Sequence, residues 1–209
     1  EASPDGSAVA LATHDGRLLI LDTEAGELRE IARGADGEVE SLCWSPDSQW
    51  LAYCDPVESG LTRIMMARLS DDTLVAVTAP RFVDTDPAFT LDGKYLAFLS
   101  RRTFDPAYDQ HSFDLTFQAS WRPYLVPLAA RTPSPFGATP DGRAVSAGDD
   151  EQPDEDGDED KKDGGEENDG EGKDGDKKKD EPPEVVVDVE GLAERVVPIP
   201  VAAARYFGM

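Results

Sequence analysis

Cysteine and histidine are nearly missing from these 209 residues, with two of each. That scarcity excludes Cys/His zinc clusters and the dense disulfide frameworks of small secreted domains. Cys43 and Cys54 both fall in apolar, strand-like runs, which favours two buried thiols over a disulfide between them. No run approaches the roughly 20 apolar residues of a membrane span, and no apolar stretch of signal-peptide length follows Glu1. A cationic surplus is absent too. Lys and Arg number 20 against 44 Asp and Glu, a formal charge of −24. A chain of that sign has no electrostatic footing on nucleic acid or an anionic membrane. There is no Gly-rich phosphate loop, no His-Glu-x-x-His and no Gly-x-Ser-x-Gly elbow. Neither metal nor cofactor is expected, and no catalytic residue is assigned.

The two histidines do not change that. His14 lies in a His-Asp-Gly turn and reads as solvent-facing. His111 neighbours Asp109, Ser112 and Asp114, which supplies the residue types of a Ser-His-Asp triad. A triad needs a fixed hydrogen-bonded order and an oxyanion hole, and neighbours within one loop rarely provide either.

The acidic excess is concentrated. Residues 149–181 carry 18 Asp/Glu and 6 Lys, a net −12, while the remaining 176 residues carry the other −12. This stretch has no aromatic or aliphatic side chain to offset its ordering entropy, so a disordered insert is predicted at 149–184. Calcium is the sharper alternative, but no window shows the ligand alternation of an EF-hand loop.

What the chain does have is a repeat. Four short turns recur: Ser3-Pro4-Asp5-Gly6, Ser45-Pro46-Asp47-Ser48, Thr90-Leu91-Asp92-Gly93 and Thr139-Pro140-Asp141-Gly142, separated by 42, 45 and 49 residues. Proline presets the second turn position, Asp bonds to nearby backbone, and Gly tolerates positive φ. Strand patterns flank the turns: Leu42-Cys43-Trp44 before the second, Trp50-Leu51-Ala52-Tyr53 after it, with Tyr95-Leu96-Ala97-Phe98 and a weaker Ala144-Val145-Ser146-Ala147 at the equivalent places. Ile64-Met65-Met66-Ala67 and Leu74-Val75-Ala76-Val77 continue the second unit. No segment has the length and period of a helix.

Four strands per unit of about 45 residues is the composition of a β-propeller blade. A β-sandwich also has closely spaced strands, but gives no reason for the longer period. The predicted fold is therefore all-β: propeller blades of four antiparallel strands, about four of them, in a larger ring, since closed propellers typically have about 4–8 blades. The predicted units are a partial blade at 1–37, blades at 38–83 and 84–133, a blade with the acidic insert at 134–200, and the start of another at 201–209. The chain thus reads as a segment of a longer protein. Made alone, it is expected to associate through open blade edges.

The third unit is interrupted. A loop at 100–122 holds Phe104, Tyr108, Phe113, Phe117 and Trp121, about a third of all aromatics. Ordered loops of this length are usually functional or interfacial; here the alternative is a plug onto the loop's own blade. Arg101-Arg102 opens it, the one adjacent cationic pair outside the acidic tract. Such a pair suits either a peptide carboxylate or ordinary salt bridges.

Phe104-Asp105-Pro106-Ala107-Tyr108, Ser112-Phe113-Asp114-Leu115-Thr116-Phe117 and Arg122-Pro123-Tyr124-Leu125-Val126 resemble the loop-bearing blade in the second, seven-bladed propeller of tricorn-type proteases. Glu194-Arg195-Val196-Val197-Pro198-Ile199-Pro200 is similar to a later strand of that propeller. The resemblance implies a cytoplasmic, self-assembling (hexameric) serine peptidase that cuts oligopeptides. Its propeller would filter or channel peptides toward a catalytic half that follows, so no catalytic residue carries over, and Arg101 and Arg102 remain peptide-guiding candidates. Two rivals stand beside it: the propeller cap of a prolyl-oligopeptidase-like enzyme, and a non-enzymatic interaction propeller of the Tol type.

Overall fold

Three of the recurring turns share one hydrogen-bond pattern. The structure, a computed structural model, describes residues 1–103, 106–111, 113–116, 120–136 and 182–208. In each turn the leading hydroxyl donates to the Asp two residues on: Ser3 to Asp5, Ser45 to Asp47 and Thr90 to Asp92, all at 2.6 Å. The same oxygen accepts the amide five residues on, from Ala8, Trp50 and Tyr95. The Asp carboxylate accepts a third bond from Ser7, Gln49 and Lys94. The fourth turn position has positive φ at Gly6 (75°), Ser48 (60°) and Gly93 (67°), where glycine avoids a Cβ penalty. Thr13-His14-Asp15-Gly16 builds a related turn, Thr13 donating to Asp15 at 2.6 Å. The fourth predicted turn, at 139–142, lies outside the described residues.

These turns and their neighbours connect three antiparallel sheets. The first contains β1 (Ala8–Ala12), β2 (Arg17–Asp22) and β3 (Leu28–Arg33). A single Ala2–Val9 bridge lies on its open side. The second orders β4 (Glu40–Trp44), β5 (Trp50–Val57), β6 (Leu61–Arg68) and β7 (Thr73–Ala76) side by side. β8 (Asp84–Phe89) and β9 (Tyr95–Ser100) begin the third. A separate two-stranded ribbon, β10 (Ala107–Asp109) with β11 (Asp114–Thr116), projects from the connection to β12 (Arg122–Pro127). Single 3-10 turns at Glu58–Gly60 and Leu192–Arg195 are the described helical pieces.

Period-two alternation explains the stacking. On β5 and β6, Trp50, Ala52, Ile64 and Met66 pack toward Leu96, Phe98, Tyr124 and Val126 of the third sheet. The intervening Leu51, Tyr53, Met65 and Ala67 pack toward Leu18, Ile20 and Ile31 of the first. A strand apolar on both faces is thus buried on both, each large side chain contributing about 1.5–3 kcal/mol. This is propeller-like stacking of consecutive blades. The first strands β4 and β8 lie beside each other, each with a register shift whose left-handed residue is Ser41 (φ 53°) or Asp86 (φ 52°).

One assignment differs from the sequence reading. Val197–Pro198, β13, pairs with Tyr124 and Leu125 of β12 and so completes the third sheet instead of ending a fourth unit. The returning chain is drawn there by orphan carbonyls: Arg195 donates to Pro127 (3.1 Å) and Leu128 (2.9 Å), and the Asp188 amide to Leu128 (3.0 Å). Ala204 also pairs with Trp121, so the start of the 201–209 unit runs beside the third sheet. The predicted acidic insert falls almost wholly on residues outside those described.

Candidate functional site

The long loop is rooted in a buried polar cluster. Asp84 opens β8 and stands opposite Ser100, the last residue of β9. Asp84 is fully buried, and apolar surroundings make an unpaired carboxylate there prohibitively costly. Arg102 supplies the pairing: its Nη2 donates to both Asp84 oxygens at 2.9 Å, and its Nε to the Ser100 hydroxyl at 2.7 Å. The Ser100 hydroxyl donates in turn to Asp84. Thr62 and Cys54 close the cluster by donating to the Asp84 carbonyl at 2.7 and 3.3 Å.

Rings surround the cation. The Arg102 guanidinium lies 4.6 Å from the Tyr124 ring centre, 4.8 Å from Phe82 and 5.3 Å from Phe98. Phe98 and Tyr124 are themselves stacked, with centroids 5.9 Å apart. The guanidinium is thus held by charge, hydrogen bonds and three π faces at once. Burial pushes the Cys54 thiol up to about 12, so at neutral pH it stays a protonated, unreactive donor. Cys43 is also free and likewise raised by burial.

Arg101 points elsewhere. Its amide donates to the Val83 carbonyl at 2.9 Å, while its exposed guanidinium lies 5.6 Å over the Trp121 ring. Among the described residues it has no acidic partner. Arg81 lines a cleft of about 140 Å³ together with Phe82, Arg102, Thr78 and Val196. The two candidate cations therefore have different surroundings: Arg102 anchors the loop, and Arg101 offers its donors to solvent.

Beyond the root, the ribbon is exposed. Tyr108 is 61% and Phe113 78% accessible, and Leu115, opposite Tyr108 in the register, is more than half accessible. Phe113 also has a φ of 58°, a left-handed conformation unusual for a bulky aromatic residue. Phe104 and Phe117 lie outside the described residues. His111 sits exposed in the ribbon turn, and His14 is exposed in its own turn. Among the described residues no group of three or more His, Cys, Asp or Glu side chains is placed to hold a metal ion. No described helix is long and apolar enough to cross a membrane.

Sequence reasoning missed Asp84 and Ser100. They lie 18 and 2 residues before Arg102, and only the β8–β9 register brings them together. The signal was weak: an Asp opening a strand in an apolar unit.

Comparison with known proteins places this architecture. A family model described as the tricorn protease second beta propeller domain matches residues 1–209. Tricorn protease homolog 1 of Streptomyces coelicolor is 46% identical over 204 residues, 98% of this chain and 17% of that protein. Tricorn protease of Thermoplasma volcanium is 30% identical over 141 residues, 65% of this chain and 14% of its own length. A crystal structure of the tricorn protease superposes with a TM-score of 0.73 at 21% identity, covering 99% of this chain and 17% of that one. The chain therefore spans about one sixth of the length of its relatives.

Proposed function

Because the chain belongs to the family of the tricorn protease second β-propeller domain, we propose that it serves an oligopeptide-degrading serine peptidase as a filter or channel for peptides. In this reading the bond-breaking residues lie outside residues 1–209, and these blades form part of a seven-bladed ring. The full-length protein works as a homo-oligomer, a hexamer by family resemblance, in the cytoplasm. The predicted blade limits, 1–37, 38–83, 84–133 and 134–200, carry over as the working division, with β13 added to the third blade.

The observation that carries the reading is the coincidence of family and loop. A blade scaffold that is otherwise regular opens, at one strand connection, into an aromatic ribbon rooted on a buried ion pair. Loops held on rigid scaffolds are where propellers place recognition. Arg101 is the peptide-guiding candidate with free donors, suited to a peptide carboxylate. Arg102 contributes indirectly, by fixing the loop from which Arg101 projects.

The test is turnover. The full-length protein is expected to hydrolyse oligopeptides and to lose that activity on covalent modification of a serine. Residues 1–209 made alone are expected to hydrolyse none. Peptidase activity in the isolated segment would contradict the division of labour.

A further inference from the structure

We infer that the cleft lined by Arg81 and Arg102 takes the C-terminal residue of a peptide, its carboxylate on the two arginines and its small aliphatic side chain against Phe82. The carboxylate chemistry stands on the cleft itself, and the choice of a peptide rests on the role proposed above.

Residues 78–82 carry the chain from β7 to β8 and form one wall. The segment is pinned at both ends. The Thr78 amide donates to the Ile64 carbonyl at 3.3 Å, and the Thr62 amide to the Phe82 carbonyl at 3.2 Å. Between them the Arg81 amide donates back to the Ala79 carbonyl at 2.7 Å, a tight turn that leaves Arg81 exposed. Ala193, in the 3-10 turn before β13, and Val196 just after it complete the lining.

The donors of this cleft are unused. Arg102 commits Nε and Nη2 to Ser100 and Asp84, but its Nη1 has no partner among the described residues. Arg81 has no ion pair among them either. Thr78 is only 2% exposed, and its hydroxyl accepts the Ile64 amide at 3.0 Å while its own proton has no acceptor among the described residues. A buried hydroxyl proton beside two guanidinium groups calls for an acceptor.

Charge and size narrow the ligand. Asp84 already neutralises Arg102, so the lining keeps the single charge of Arg81. A monoanion matches that better than a dianion such as phosphate. The cleft holds about 140 Å³. A pocket for a whole drug-sized ligand needs roughly 300 Å³ or more, so this one suits a terminal group. Phe82, Ala193 and Val196 give that group an apolar surface. The last residue of a peptide ending in alanine or valine presents both features, a carboxylate and a small aliphatic side chain.

Saturation-transfer NMR on the full-length protein, with its reactive serine covalently blocked, tests this. The probe is N-acetyl-alanyl-valine, as free acid and as C-terminal amide, with acetate and inorganic phosphate as competitors. The acid should bind about fivefold more tightly than the amide. Arg81→Gln should bring the two within about twofold while the melting temperature holds, because Arg81 is exposed. Arg81→Lys should restore part of the preference. Ala193→Phe, also at an exposed position, fills the cleft without removing a cation and should weaken acid and amide alike, by about threefold or more.

A preference for the acid that survives Arg81→Gln would overturn the cleft. So would acid binding indifferent to Ala193→Phe, or phosphate displacing the acid at lower concentration than acetate does. Oligopeptide turnover by the unblocked protein is followed in parallel. Turnover present with acid and amide bound equally defeats the cleft alone. No turnover of any oligopeptide defeats the peptidase reading, and the peptide ligand with it.

Discussion

The second and third sheets solve the same connection in opposite ways. In the second, β5 passes to β6 through Glu58–Gly60, and Val57 pairs directly with Leu61. In the third, β9 and β12 are parted by the whole aromatic loop, although Ser100 and Arg122 still pair at the sheet's end. Both places carry an Asp–Arg pair. Asp55 meets Arg63 at 2.9 Å across the β5–β6 register and also accepts the Ala35 amide at 3.2 Å. Asp84 instead meets an arginine of the loop itself.

That difference is instructive. The side chains of Asp55 and Arg63 are 5% and 29% exposed, against 0% and 17% for Asp84 and Arg102. In the second blade the pair bridges the two central strands and ties in a neighbouring loop. In the third it fixes a long insertion that no short turn would hold. The blade stays constant, and the connection is where function has room to differ.

The largest expected effect comes from breaking the deeper pair. Asp84→Ala strands a buried guanidinium and should cost about 3–5 kcal/mol, read by calorimetric melting. Asp55→Ala should cost less, about 1.5–3 kcal/mol, because Arg63 can turn to solvent. Equal losses would remove the distinction between the two connections.

Next come the turns. Gly6 and Gly93 both have positive φ, but a Cβ at Gly6 meets nothing within 4 Å, whereas at Gly93 it would lie 2.8 Å from the Val185 Cγ2. Gly6→Ala should cost about 1–2 kcal/mol from the backbone alone. Gly93→Ala should cost more, since the returning chain beside the third sheet must also shift. Equivalent melting temperatures would show that this chain does not press on the turn.

Acid should have the smallest effect, and one spread across the repeats. The Ser3 hydroxyl and Ser7 amide hold Asp5 at about 2, the Thr13 hydroxyl and Arg17 hold Asp15 there, and Arg68 with Thr73 holds Asp71. Their ordinary value is 3.8. Folded values below the unfolded one add stability that is complete above about pH 4 and fades as pH falls toward 2. Denaturant melts across that window should show a progressive loss, and a flat profile would contradict the turn chemistry.

Legibility followed the range of the interactions. Ser45, Asp47 and Trp50 lie within one turn, so their bonds follow from local chemistry, and Leu51 and Ala52 reveal two buried faces by alternation. The resemblance to tricorn-type propellers agreed with the family comparison, because the loop motifs are long and specific. Asp84 and Arg102 were not legible as a pair, since only strand register joins them. The partner of β13 was hidden as well: the segment around Val197 resembles a propeller strand, but it follows an acidic tract that breaks the period, and only the structure sets it beside β12. For Tyr108 and Phe113 the sequence allowed plug or interface. The structure leaves both side chains exposed.

The most direct test exchanges the two connections. In the full-length protein, residues 101–121 are replaced by the Glu58-Ser59-Gly60 turn, with Asp84→Leu included to avoid a stranded carboxylate. kcat/KM is then measured for long oligopeptides and for a short chromogenic peptide. A raised KM is expected for the long substrates, with little change for the short one. Equal kcat/KM for both classes, before and after the exchange, would contradict a peptide-guiding role for this blade.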